Sequence, residues 1–454
     1  MLSHVIYYHG QHHLFLYTSD YLESHTLEEC MMAFLAQFFY SQAVGALVLS
    51  TLLTGIYLQT WFVLTRMTRR EDILRLSCIP SLGLWIWTSA LDHSLSPVVN
   101  GFLLATLLAF LVLLFHGKKG VRSVKLPAGR VTAITVLVLV VYGFVCAYCL
   151  LHTFSIAEYR MIKAQQAADK QDWDEVLHQT SRYLDYQKRP NPLISYFRNI
   201  ALFKKGELFN RLLEYPMSVG VNGLYFPWQG RTRETEFGHY LLEELGAINH
   251  AQHWEFEAMV VWGETAPRLI NLARYAIANG RIEVARHYIR RLRQALFYQD
   301  EANQLEAYAN MGRVPGLQPF RVDAPDKANF INVLNIGPNL EYILECVPDN
   351  QMAYEYLICD LLLSGNMLKF LEILSKWQKP YTQLPALLQE AVIVCQIGGM
   401  DTRKFEIAPD TQQRFERYAQ LFQQGDMHSL RREFGRSYWF YLNYISPYGS
   451  KIKK

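Results

Sequence analysis

Two stretches decide the architecture: PVVNGFLLATLLAFLVLLF at residues 97–115 and VTAITVLVLVVYGFVCAYCLLHTF at residues 131–154. Neither contains Asp, Glu, Lys or Arg, and a helix needs about 20 apolar residues to cross a hydrocarbon layer of ~30 Å. A helix lying on a soluble core keeps one polar face, and these runs have none. They read as membrane spans. Working outward, residues 33–64 are long enough to cross with some tilt, while residues 76–91 form a shorter apolar run with Pro80 inside it. About four spans, at 33–64, 76–91, 97–115 and 131–154, are expected to fill residues 33–154.

Averages conceal this division. The 454-residue chain is 51% hydrophobic with a net charge of +3 and a mean hydropathy of zero, which suits a soluble protein. Residues 1–154, however, hold only nine Lys or Arg and seven Asp or Glu, whereas residues 155–454 hold 35 and 34. The second part therefore has the charge content of an ordinary globular domain, and the boundary falls near Phe154. So small a net charge offers no basic surplus for a phosphate backbone, and no nucleic-acid partner is expected.

All nine cations of the first part lie in residues 66–75 and 117–130, which an even number of spans puts on one side. Residues 1–32 and the short turn at 92–96, on the other side, hold none. Cytoplasmic loops concentrate Lys and Arg. Both termini are accordingly expected outside, with the large domain periplasmic or extracellular. Residues 1–32 read as an aromatic, polar segment suited to the membrane interface, and further hydrophobic sequence is expected before residue 1.

Seven cysteines provide no disulfide framework. Cys146 and Cys149 sit inside an apolar run and read as packing residues. No G-x-S-x-G, P-loop or H-E-x-x-H pattern occurs. His250, His253 and Glu257 share a helical face but fit a repeat helix better than a zinc site, so neither a metal nor a cofactor is expected.

The second part repeats itself. TAPRLINLARYAIANGRIEVARHYIRRL (265–292) places a turn glycine, Gly280, two residues before an apolar residue, Ile282. The same punctuation recurs at Gly206 with Leu208, Gly246 with Ile248, Gly365 with Met367, and Gly425 with Met427. A sixth copy has Gln171 in the glycine place, followed by Trp173. The first four turns are 35, 40 and 34 residues apart, close to the 34-residue helix–turn–helix period of tetratricopeptide repeats. The expected fold is all-α: residues 1–32 as an exterior segment, a transmembrane bundle over 33–154, and a tetratricopeptide-like solenoid over 155–454. The segment HTFSIAEYRMIKAQQAA is expected to run as one helix out of the bilayer.

Two stretches interrupt the repeats, 214–236 and 310–338, and loops of such length are commonly functional. The first sets Tyr225, Phe226 and Trp228 beside Arg231 and Arg233, a mixture that could stack on and hydrogen-bond a ligand or partner. The alternative is a loop that packs its aromatics back onto the helices. Arg286, Arg290 and Arg293 share one face of the best repeat and form a candidate basic docking face, although a solvated face is the ordinary reading.

The segments HHLFLYTSDYL (12–22), FLAQFFYSQAVGALVLSTL (34–52), GVNGLYFPWQG (220–230), NGRIEVARHYIRRLRQALFYQDEA (279–302) and NQMAYEYLICDLLL (350–363) carry a likeness over most of the chain. Their order resembles an uncharacterised family of polytopic membrane proteins from Gram-negative anaerobes, with a tetratricopeptide-like domain after the spans. The resemblance implies a bacterial inner-membrane location and assigns no chemistry. On the residues alone, the expected function is a membrane-anchored scaffold in the cell envelope, in contact with the bilayer and binding a protein or peptide through the repeats. The alternative is an envelope glycan- or lipid-modifying enzyme using the outward carboxylates Asp20, Glu23 and Asp92.

Overall fold

The structure is a computed structural model and describes residues 2–90, 93–115, 127–187, 191–226, 233–320, 335–377 and 383–448. Among the described residues the chain is helical and forms no strand, only an isolated bridge between Val314 and Leu317. Contacts separate it into two compact units. One comprises Met1–Tyr159, Gly263–Ile277 and Arg281–Gly312; the other comprises Arg160–Trp262, Ala278–Gly280 and Arg313–Lys454. This division differs from the single break expected near Phe154, because three helices at 263–312 pack with the N-terminal part.

In the first unit, α1 (Leu2–His12), α2 (Ser19–Ser24) and α3 (Leu27–Ala36) precede the long helices. Thr26 and Glu29 form a reciprocal cap that starts α3, so residues 33–36 belong to it and not to a span. A 3-10 turn, Gln37–Tyr40, follows. The next helix, α4, runs Gln42–Thr68, later than the expected 33–64, and ends where Arg69 turns left-handed at φ 54°. With α6 (Ser96–Phe115) and α7 (Ala128–Thr153) it gives three helices long and apolar enough to cross a membrane. At 1.5 Å per residue they measure roughly 30–40 Å. Little of their apolar surface is buried within the protein: 11%, 22% and 6% of the three apolar windows. Lipid tails can cover such surface, whereas water would be driven from it.

Helix α4 pairs with α6. The Gln59 amide donates to Thr106 Oγ1 at 2.8 Å, and Gly55 leaves just enough room for the Phe102 ring, which an added Cβ would meet at 2.6 Å. The contacts 55–102 and 59–106 rise together in number, so the two helices run parallel and the chain must return between them within residues 69–95. The expected span at 76–91 is here a ten-residue helix, α5 (Cys78–Trp87), only about 15 Å long. Its ends explain its length. Asp72 accepts from the Leu76 and Ser77 backbone N–H groups at 2.9 and 3.1 Å and from the Ser77 hydroxyl at 2.6 Å. At the far end, Thr88 and Ser89 both donate to the Trp85 carbonyl. The expected continuous exit helix is also broken: Phe154 is extended at ψ 113°, and the Ser155 hydroxyl caps the new helix α8 (Ile156–Asp169) at the Glu158 N–H.

Still within this unit, α14 (Ala266–Ala278), α15 (Ile282–Arg293) and α16 (Gln299–Met311) meet the N-terminal segment at the α15–α16 corner. The Tyr17 N–H donates to the Gln294 carbonyl at 3.0 Å, the Tyr40 ring stacks on Phe297 at 5.6 Å, and the Tyr40 hydroxyl donates to Glu301 at 3.3 Å.

The second unit holds most of the helix pairs. All six turn residues read from the sequence are left-handed: Gln171, Gly206, Gly246, Gly280, Gly365 and Gly425, with φ between 57° and 76°. At each, the next residue's N–H returns to the carbonyl five positions earlier, at 2.8–3.1 Å, as in Asp172 to Ala167 and Asp426 to Leu421. This bond closes the first helix of the pair. The following helix then opens at Trp173, Leu208, Ile248, Ile282, Met367 or Met427, the apolar residue two places on. Only one turn lacks glycine, and a non-glycine residue in this region carries a steric cost of about 1–2 kcal/mol. Gln171→Gly is therefore expected to raise stability by about 0.5–1 kcal/mol, and Gly280→Ala to lower it by a similar amount. Nothing lies within 4 Å of a Cβ built on Gly280, so the effect there is purely conformational. Thermal unfolding of the two purified variants checks both signs.

Candidate functional site

The second unit contains a cleft of about 410 Å³, within the size range of small-ligand sites. Three helices supply most of its wall: α17 (Gly337–Cys346), α18 (Gln351–Ser364) and α19 (Met367–Lys376). Residues following the 3-10 turn Gly220–Gly223, together with Tyr448 near the chain end, complete it. Helix α18 is apolar on nearly every side and buried along its length. Its residues Leu357, Asp360, Leu361 and Ser364 fall on one face at the spacing of three and four that a helix dictates, and that face lines the cleft.

Asp360 distinguishes this place. It is 6% exposed, and among the described residues no side chain or backbone group donates a hydrogen bond to it or pairs with its charge. Burial pushes its carboxyl from the ordinary range up to about 6, because a desolvated carboxylate without a counter-charge favours its neutral form. The N-terminus of α17 comes close: a Cβ on Gly337 would sit 3.0 Å from Asp360 Oδ2 and 3.2 Å from Asn335 Oδ1. A side chain there would crowd the carboxylate, which would have to give by a few tenths of an ångström, and the Asn335 oxygen accepts from the Gly337 N–H at 2.9 Å.

Two phenols share the cleft. Burial raises Tyr225 to about 12, with the nearby Asp360 adding to the rise and a backbone hydrogen bond from Ile336 opposing it. Tyr448 is raised by burial too, against a backbone hydrogen bond from Val221, with Asp360 again adding to the rise. Both stay protonated at neutral pH. At the rim, Lys369 is ion-paired with Glu341 at 2.8 Å and Glu372 at 3.0 Å. The cation lining the cleft is thus held by two carboxylates, and among the described residues Asp360 has no counter-charge.

The residues singled out in the sequence are scattered. Tyr225 is on the cleft wall. Phe226 is buried, with its ring 4.5 Å from that of Tyr196. Trp228 and Arg231 lie outside the described residues, and Arg233 opens the short turn Arg233–Glu236. On α15, Arg286 pairs with Glu283 at 2.7 Å and Glu306 at 3.3 Å, and Arg293 pairs with Glu306 at 3.5 Å. Among the described residues Arg290 has no such pair, and it is exposed. Asp20 and Glu23 are exposed, and Asp92 lies outside the described residues. Among the described residues no three His, Cys, Asp or Glu side chains gather to hold a metal ion. Asp360 itself was missed. Its signal was a lone carboxylate within the apolar run LICDLLL (357–363).

A buried carboxylate raised from 3.8 to about 6 costs about 3 kcal/mol of stability at neutral pH. The native state holds on to this proton more tightly than the unfolded chain. The penalty is therefore full above pH 6, shrinks as pH falls and is gone below about pH 4. Asp360→Asn is expected to stabilise the protein by up to about 3 kcal/mol at pH 7.5, with wild type and variant converging by pH 4. Unfolding curves at the two pH values check this. A variant less stable than wild type at pH 7.5 would reveal a partner for the charge.

Comparisons with known proteins place the whole chain in one family. No curated protein and no solved structure matches it. Residues 1–166 and 153–445 match DUF6057, a family of unknown function. The two matched segments cover nearly the whole chain, and the chain belongs to the DUF6057 family.

Proposed function

We propose that this protein is a membrane-anchored scaffold of the cell envelope, whose helical-repeat part recognises a protein or peptide partner at the Asp360 cleft. The observation that carries the reading is the cleft itself. Asp360 is nearly buried and has no partner among the described residues; a protein that keeps such a carboxylate gives up stability there, and such sacrifices are characteristic of binding sites. The helix pairs support a tetratricopeptide-like assignment, since six turns share one left-handed residue, one closing bond and one starting position for the next helix. Stacked pairs of this kind commonly present peptide-binding surfaces. The three long apolar helices supply the anchor. The concentration of Lys and Arg in residues 66–75 and 117–130 favours a cytoplasmic position for those two loops. With a return leg through residues 69–95, the repeat part is then on the outer face, periplasmic in a Gram-negative cell.

A photoreactive amino acid at Leu368, 72% exposed beside Lys369, tests the reading in living cells. One envelope protein captured repeatedly from position 368, and not from the equally exposed Val260 on α13 (Ile248–Trp262), is the expected result. Capture of glycan or lipid alone would overturn the scaffold and favour an envelope-modifying enzyme.

A further inference from the structure

We propose that the cleft floored by Asp360 binds an alkylammonium group, carried either by a free primary amine or by a lysine side chain. The inference deepens the reading above and rests on the cleft being a recognition site.

Charge is the first argument. Of the side chains lining the cleft, Asp360 and Glu341 are acidic and Lys369 is basic. Lys369 is occupied by Glu341 and by Glu372. An entering cation meets one unneutralised carboxylate, while an entering anion would meet it without compensation. A charge taken out of water is tolerated when it gains a counter-charge and hydrogen bonds, and among the described residues Asp360 has neither.

Donor number is the second argument. An ammonium presents three N–H donors and no acceptor. The cleft offers the two Asp360 oxygens and the phenol oxygens of Tyr225 and Tyr448, which have lone pairs beyond those taken by backbone N–H groups. A divalent metal fits poorly, since calcium takes six to eight oxygens and several carboxylates. Among the described lining residues Glu341 is already paired with Lys369, so Asp360 alone would meet a metal ion with an unpaired carboxylate. The remaining wall, with Val221, Leu357 and Leu361, suits the methylene stem of an amine.

The groups facing Asp360 make the pH dependence readable. They are Tyr225 from the loop, Tyr448 near the chain end, Glu341 on α17 and Lys369 with Glu372 on α19. Cys359 and Glu355 are on its own helix. The phenols and Lys369 keep their protons through the acid range, being raised. An alkylammonium keeps its charge there as well. Its affinity is therefore expected to fall about tenfold between pH 7.5 and pH 5 as Asp360 takes up a proton.

The test uses the full chain in a non-ionic detergent, titrated with n-butylammonium and with its neutral counterpart n-butanol, followed by saturation-transfer NMR. Binding of the cation but not the alcohol is expected, with at least a tenfold loss in Asp360→Asn and disappearance of the pH dependence in that variant. Gly337→Ala, which sets a methyl 3.0 Å from Oδ2 and keeps the charge, is expected to weaken binding as well. A lysine-containing peptide that binds tighter than butylammonium assigns the amine to a partner protein; no gain assigns it to a free small molecule. Equal binding of cation and alcohol, or undiminished binding to Asp360→Asn, overturns the proposal. Either result can occur whether or not a protein is captured from position 368, so the two readings fail separately.

Discussion

The hydrogen bond from the residue after each left-handed turn to the carbonyl five places earlier is the constraint on which the helix pairs depend. A helix end leaves four carbonyls without partners, and a chain that reverses at once has no room to solvate them all. One residue at positive φ lets the backbone fold back and satisfy them locally. It also determines where the next helix begins, so that the apolar residue opening that helix arrives in register. The bond recurs at Gly399, where the Met400 N–H returns to the Cys395 carbonyl at 3.0 Å, but there irregular chain through residue 408 replaces the partner helix. The turn is thus necessary for a pair and insufficient for one. What completes a pair is the apolar stripe that follows, absent in GGMDTRKF (398–405).

Physical scale explains which elements could be read directly. The runs at 97–115 and 131–154 became α6 and α7 within three residues at either end, because a run that is long and apolar on every face can be read from composition alone. Gln171 was legible as a glycine substitute because its neighbours kept the pattern, and its φ of 57° follows from position, not from residue type. The return leg was harder to read. Its helix ends are made by side chains hydrogen-bonding to nearby backbone, Asp72 at one end and Thr88 with Ser89 at the other, and such local competition leaves no mark on hydropathy. The pairing of 263–312 with the N-terminal segment was also illegible. It rests on a few aromatic contacts, such as Tyr40 with Phe297, between residues more than 250 positions apart.

Asp360 shows the same limit at the site. Within its run it resembles one polar residue on an otherwise apolar helix, which ordinarily points to solvent. Its burial comes from elements far away in sequence: the α17 N-terminus brought close by Gly337, the 220–226 loop, and Tyr448. The proposed loop residues were half informative for a related reason. Tyr225 and Phe226 are neighbours with opposite roles, one facing the cleft and one packed on Tyr196, and aromatic composition cannot separate them.

A buried charge without a partner could be a mere defect, and the surroundings argue otherwise. A helix that only needed to pack would gain from Asn or Leu at this position, since replacing buried charges by neutral groups of similar volume is often neutral or stabilising. The neighbouring structure goes further than tolerating the carboxylate. Gly337 withholds a side chain that would crowd Oδ2, and Lys369 on the cleft lining is held by two other carboxylates. Each of these features keeps the cleft open and its charge uncompensated. Their combination is what a site waiting for a cation requires, and simple packing requires none of them.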